Sequence, residues 1–127
     1  MLREVTREVQ HKKPPQRWFT SAYFDLIVWY EAGNKIVGFE LCYGKPHNEK
    51  ALCWMKGKGY THFKVNDGES EPLKHKMAPV YTADGIFDQD RVARRFIMES
   101  RNIDQTVSDY VFEKIMNYTP PNTSRQD

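Results

Sequence analysis

The chain has 127 residues, 39% of them hydrophobic and 28% charged, with a formal net charge of +2. That length suits one domain whose core needs no disulfide or metal staple, and this composition excludes wholesale disorder. So small a charge lends little support to a nucleic-acid or membrane-surface partner, and no run approaches the ~18 apolar residues of a membrane span.

The first thirteen residues, MLREVTREVQHKK, carry charges where a secretory signal needs its apolar run, which points to a cytoplasmic protein. Residues 2–10 are rich in β-branched side chains, put Val5 and Val9 on one face and lack a preceding N-cap, so an edge strand is expected. Pro14-Pro15 end it and impose an extended link. Arg17-Trp18-Phe19 then read as a lead-in, with a break at Thr20-Ser21.

The stretch 23–43 (YFDLIVWYEAGNKIVGFELCY) reads as a β-hairpin. Gly33-Asn34 both tolerate positive φ and suit a two-residue loop. Ala32 then opposes Lys35, Glu31 opposes Ile36, Trp29 opposes Gly38, Ile27 opposes Glu40 and Asp25 opposes Cys42. Opposed residues share a face. One face is wholly apolar or aromatic: Phe24, Leu26, Val28, Tyr30, Val37, Phe39, Leu41 and Tyr43. The other is mixed: Asp25, Ile27, Trp29, Glu31, Ile36, Gly38, Glu40 and Cys42. A slip of one residue on either strand would destroy this segregation, which supports the register.

After a loop at 44–49, residues 51–56 (ALCWMK) and 60–65 (YTHFKV) read as two further meander strands joined at Gly57-Lys58-Gly59. Residues 68–76 are polar and read as a loop. Residues 77–82 (MAPVYT) suit a short edge strand, since Pro79 argues against a central one. Asp88 stands at an N-cap position before the stripe Val92, Ala93, Phe96 and Ile97, and the helix ends near Arg101-Asn102. Asp104 caps a second helix with the stripe Val107, Tyr110, Val111, Ile115 and Tyr118, stopped by Pro120-Pro121. Successive strands followed by successive helices describe an α+β domain over residues 1–119. An antiparallel meander of four to six strands would carry two C-terminal helices on its apolar face, and residues 120–127 would form a disordered tail.

Trp18-Phe19, then Tyr23-Phe24-Asp25-Leu26-Ile27-Val28-Trp29, then Gly38-Phe39-Glu40-Leu41-Cys42-Tyr43, resemble a pattern in small bacterial proteins that have no assigned reaction. The resemblance covers the middle third of the chain. It implies a stand-alone bacterial domain and brings no catalytic residues with it.

The sequence has no phosphate-binding glycine loop, dinucleotide fingerprint, nucleophile elbow or zinc-protease motif. Cys42 and Cys53 belong to no Cys-x-x-Cys pair and have no His at ligand spacing, so neither a metal nor another cofactor is expected. Asp25 and Glu40 fall on the mixed face as diagonal neighbours, ~7 Å apart. Cys42 opposes Asp25, and a six-residue loop before the third strand would set Cys53 opposite Glu40. Carboxylates among apolar groups can serve as acid and base, although an antiparallel sheet ordinarily shows water a polar-enriched face. With Ile27, Trp29, Cys42, Cys53 and Met55 this face is too apolar for free solvation. The expectation is therefore a non-catalytic domain that uses it to bind a second copy, a protein partner or a small apolar ligand. An enzyme centred on Asp25 and Glu40 is the alternative.

His62 with Lys64, near Trp54, is a further catalytic candidate, although a partly exposed strand histidine is the commoner finding. Lys74-His75-Lys76 reads as a solvated loop. Lys12, Lys13, Arg17, Arg91, Arg94, Arg95 and Arg101 raise single-stranded nucleic-acid binding, but the RNA-recognition signature is absent and a surface helix shows such arginines anyway.

Overall fold

The structure, a computed structural model, describes residues 1–5, 15–45, 49–65 and 87–119. Among these residues six strands, β1 (Arg3–Val5), β2 (Gln16–Thr20), β3 (Phe24–Glu31), β4 (Lys35–Tyr43), β5 (Lys50–Met55) and β6 (Gly59–Lys64), precede two helices, α1 (Gln89–Glu99) and α2 (Gln105–Met116). The strands form one antiparallel sheet in chain order, a meander. The fold is α+β. The expected edge strand is found at its N-terminal end, with Val5 paired to Trp18. The expected strand at 77–82, the loop at 68–76 with its Lys74-His75-Lys76 cluster, Val9 and the tail at 120–127 lie outside the described residues.

Two readings of the strands need correction. Residues 16–20 are a full strand rather than a lead-in: Phe19 turns into the core beside Leu26, while Trp18 points the other way beside Ile27. Alternation of side chains carries this strand, and Pro15 sits just outside its start, where no ladder bond is lost. The second correction concerns the hairpin turn. Gly33 and Asn34 do take positive φ, +86° and +59°, but Glu31 opposes Lys35 and Tyr30 opposes Ile36. A register shift follows, and Trp29 opposes Gly38 as expected. Val37 is thus the extra residue of a β-bulge. Ile36 packs against the core in the place assigned to Val37.

Beyond the bulge the expected pairs hold: Ile27 with Glu40, Asp25 with Cys42, and Glu40 with Cys53. Phe24, Leu26, Val28, Phe39 and Leu41 are fully buried on one face, with Phe19, Tyr43 and Leu52 beside them. Both helices lie on this face. Phe96 of α1 meets Phe24 edge to face, and Tyr110 of α2 meets both Phe39 and Trp54.

Each helix begins where its cap is encoded. The Asp88 carboxylate accepts from the Arg91 amide, and that of Asp104 accepts from the Thr106 amide at 2.8 Å. Val92, Ala93 and Phe96 are buried in α1, and Val107, Val111 and Ile115 in α2. Ile97 leaves the predicted stripe and is 47% exposed. It lies about 100° around the helix from Phe96, which carries it past the edge of the buried arc.

Several polar contacts lock the layers. The Gln89 side chain donates to the carbonyls of Ile115 (2.9 Å) and Met116 (3.0 Å), so the first residue of α1 satisfies the open C-terminus of α2. The Tyr60 hydroxyl donates to the Lys114 carbonyl at 2.7 Å. Arg17 joins three elements: it bonds Glu4 of β1 at 2.7 Å, Asp104 at the start of α2 at 3.0 Å, and the Tyr30 hydroxyl of β3 at 3.2 Å. The Leu2 amide donates to the Glu99 carbonyl at 2.8 Å, and Leu2 is fully buried.

Candidate functional site

The second sheet face, opposite the helices, is built from three cross-strand rows. Thr20, Asp25, Cys42 and Ala51 form one row. Trp18, Ile27, Glu40, Cys53 and Thr61 form the next. Gln16, Trp29, Gly38 and Met55 form the third. Asp25, Ile27, Trp29, Glu40, Cys42, Cys53 and Met55 are therefore brought together as expected, all of them only half-buried. Ile36 is not among them.

Some residues of this face were not marked by the sequence. Trp18 and Thr20 enter through β2, and Lys45 through the turn after β4. Oδ1 of Asp25 accepts from the Thr20 hydroxyl at 2.7 Å and from the Lys45 ammonium at 2.9 Å. The alternation Gln16, Trp18, Thr20 was the available signal, and it matters only once residues 16–20 are recognised as a strand.

Glu40 has thiols on both sides. Cys42 Sγ lies 3.5 Å from Oε2 and Cys53 Sγ 3.7 Å from Oε1, each thiol donating to the carboxylate. Burial, reinforced by the negative charge of Glu40, pushes both thiols well above their ordinary range. They stay protonated at neutral pH and are poor nucleophiles. Among the described residues no group of three or more His, Cys, Asp or Glu is placed to hold a metal ion.

Gly38 lets the sheet approach itself in the third row. A Cβ there would stand 2.3 Å from Met55 Sδ and 2.6 Å from the Trp54 carbonyl oxygen. The Met55 side chain thus folds flat over Gly38, and Trp29 flanks it from the far side. Next to β1, a trough of about 310 Å³ opens between the first and second rows, lined by Val5, Trp18, Thr20, Asp25, Ile27 and Cys42 among others. It includes Asp25 but not Glu40.

His62 belongs elsewhere. It is only 3% exposed and lies on the core face, opposite Leu52. Its Nε2 is 2.6 Å from the Tyr43 hydroxyl, its ring stacks on that of Tyr43, and Phe87 and Tyr118 pack around it. The expectation of a partly exposed histidine near solvent is corrected by this aromatic enclosure. Trp54 shares its face but pairs with Tyr60 rather than His62, and the Lys114 ammonium sits over its ring at 3.9 Å.

The arginines of α1 do not converge on this face. Arg95 covers the Tyr23 ring at 4.0 Å and bonds Glu99 at 2.8 Å, and Arg91 pairs with Asp88. No protein-family model, curated protein or solved structure matches this chain. None of its described helices is long and apolar enough to cross a membrane.

Proposed function

We propose that the chain is a small non-catalytic binding domain and that its second sheet face pairs with the same face of a second copy. One observation carries this reading: three rows of a six-stranded sheet present Trp18, Ile27, Trp29, Met55 and two protonated thiols, while both described helices lie on the other side. Six strands spaced by about 4.8 Å, each contributing about five residues, span roughly 24 by 17 Å. Side-chain relief raises the accessible area of such a patch toward the ~800 Å² per partner of a standard interface. Lys45 offsets the charge of Asp25, while Glu40 keeps its negative charge and holds two thiol donors. Two free cysteines fit a reducing compartment. With the resemblance of residues 18–43, this supports a bacterial cytoplasmic setting.

The alternatives draw less support. An acid–base pair would need Asp25 and Glu40 in one concavity, and the trough holds only the first. Stacking of single-stranded bases would need cations framing Trp18 and Trp29, whereas Lys45 is engaged by Asp25.

Sedimentation equilibrium at the highest soluble concentration tests the proposal. The wild-type chain is expected as a dimer, and Trp29→Arg as a monomer with an unchanged circular dichroism spectrum. A wild-type monomer across the accessible range would overturn it.

A further inference from the structure

The trough beside β1 has a chemical polarity that self-pairing does not explain. Its wall is apolar at Val5, Ile27 and the Trp18 ring, and its volume of about 310 Å³ stands at the lower end for small-molecule sites. Its polar lining is Thr20 and Asp25, and Lys45, outside the lining, bonds Asp25. Among the described residues both hydrogen bonds to Asp25 fall on Oδ1, from Thr20 at 2.7 Å and Lys45 at 2.9 Å, and none falls on Oδ2. An acceptor therefore stands in an apolar slot, and its charge is already offset by Lys45.

From this arrangement we infer that the trough binds a small, flat, apolar molecule carrying one neutral O–H or N–H donor, which bonds Asp25 Oδ2. Each part of that description has a cause. The flat body follows from a slot floored by sheet and walled by Trp18, Val5 and Ile27. The donor follows from Oδ2: Asp25 is partly exposed in the free chain, and an apolar body seated in the trough would take Oδ2 out of water, which disfavours a ligand that cannot bond it. Neutrality follows from Lys45: an ammonium head would be brought beside its Nζ, and a carboxylate head would be brought against Asp25. Trp18 supplies ring surface, its indole N–H being directed to the Gln16 side-chain oxygen at 2.5 Å.

This inference rests on reading the second face as a binding surface, but not on its occupation by a second copy. The test uses three naphthalenes of one shape: 2-naphthol as the neutral donor, 2-naphthylmethylamine as the cation and 2-naphthoate as the anion. They are titrated into the full chain by calorimetry, with methyl and indole NMR shifts recorded in parallel. 2-Naphthol is expected to bind and to move the signals of Val5, Ile27 and Trp18. Asp25→Asn, which replaces an acceptor oxygen with an amide N–H or a weaker acceptor, is expected to weaken it about tenfold. Both charged analogues are expected to bind more weakly than 2-naphthol. Equal binding by wild type and Asp25→Asn, shifts that bypass Val5 and Ile27, or tighter binding of either charged analogue would overturn the assignment. Ile27→Gln, which roughs the wall and leaves Asp25 in place, should also weaken 2-naphthol, and full retention of affinity would count against the trough. Sedimentation reports the oligomeric state separately, so a monomer that binds 2-naphthol refutes the pairing and keeps the trough.

Discussion

The Tyr43 hydroxyl and the Nε2 of His62 meet at 2.6 Å within a shell made by Phe87 and Tyr118. The contact joins β4 to β6 at the place where α1 begins and α2 ends, so it fastens the sheet to both helices. Tyr43→Phe removes the hydroxyl and leaves a buried imidazole nitrogen short of this partner. Urea unfolding is expected to show a loss of about 1–3 kcal/mol. His62→Lys places a charge in an aromatic enclosure and should cost more than Tyr43→Phe. If His62→Lys is as stable as wild type, the enclosure is not closed in solution.

Alkaline stability follows from the buried acids. Cys42 and Cys53 have ordinary values of 9.0 and Tyr43 of 10.0, and all three are raised in the fold, chiefly by burial. Below pH ~9 the groups are protonated in both folded and unfolded chains and stability does not depend on them. Above it the unfolded chain ionises first, binds fewer protons and is favoured. Unfolding free energy is therefore expected to fall as pH rises from 9 to 11. In a Cys42→Ser/Cys53→Ser double variant the onset should move up toward the tyrosine range. Urea titrations at a series of pH values check this, and identical profiles for the two chains would refute it. The same thiols should react slowly with iodoacetamide at pH 8 in the native chain and at the normal rate in urea.

Gly38 supplies a steric prediction. Gly38→Ala sets a Cβ against both the Met55 sulfur and the Trp54 carbonyl, and a loss of about 1–3 kcal/mol is expected. The methionine can swing aside but the carbonyl cannot. Adding Met55→Ala should accordingly restore only part of the loss, and complete restoration would show that the backbone contact is soft.

These features differ in how plainly the sequence announces them. The pairs Asp25–Cys42, Ile27–Glu40 and Glu40–Cys53 were legible because one face of the hairpin is continuously apolar, and a sheet alternates with a period of two. The two helix starts were legible because Asp88 and Asp104 precede amphipathic stripes. The bulge at Val37 was not legible, since Ile36 and Val37 are both apolar and β-branched and either can enter the core. His62 was misplaced because a histidine inside YTHFKV carries no mark of its side. Extending the row from Leu41 through Leu52 would have set it on the core face. The trough was beyond reach because its polar lining, Thr20 and Asp25, comes from β2 and β3, and residues 16–20 are too short and mixed to declare themselves a strand.

The three-way contact of Arg17 has a consequence for how the chain comes together. Its bond to Asp104 spans 87 residues of sequence, and its bonds to Glu4 and Tyr30 span 13 each. Closing so long a loop carries a large entropic cost that only the intervening structure can defray. Asp104 is also held by its own helix start, through the Thr106 amide. The guanidinium therefore acts as the clasp of a ring: it fastens once α2 has formed, and it then holds β1 to that helix.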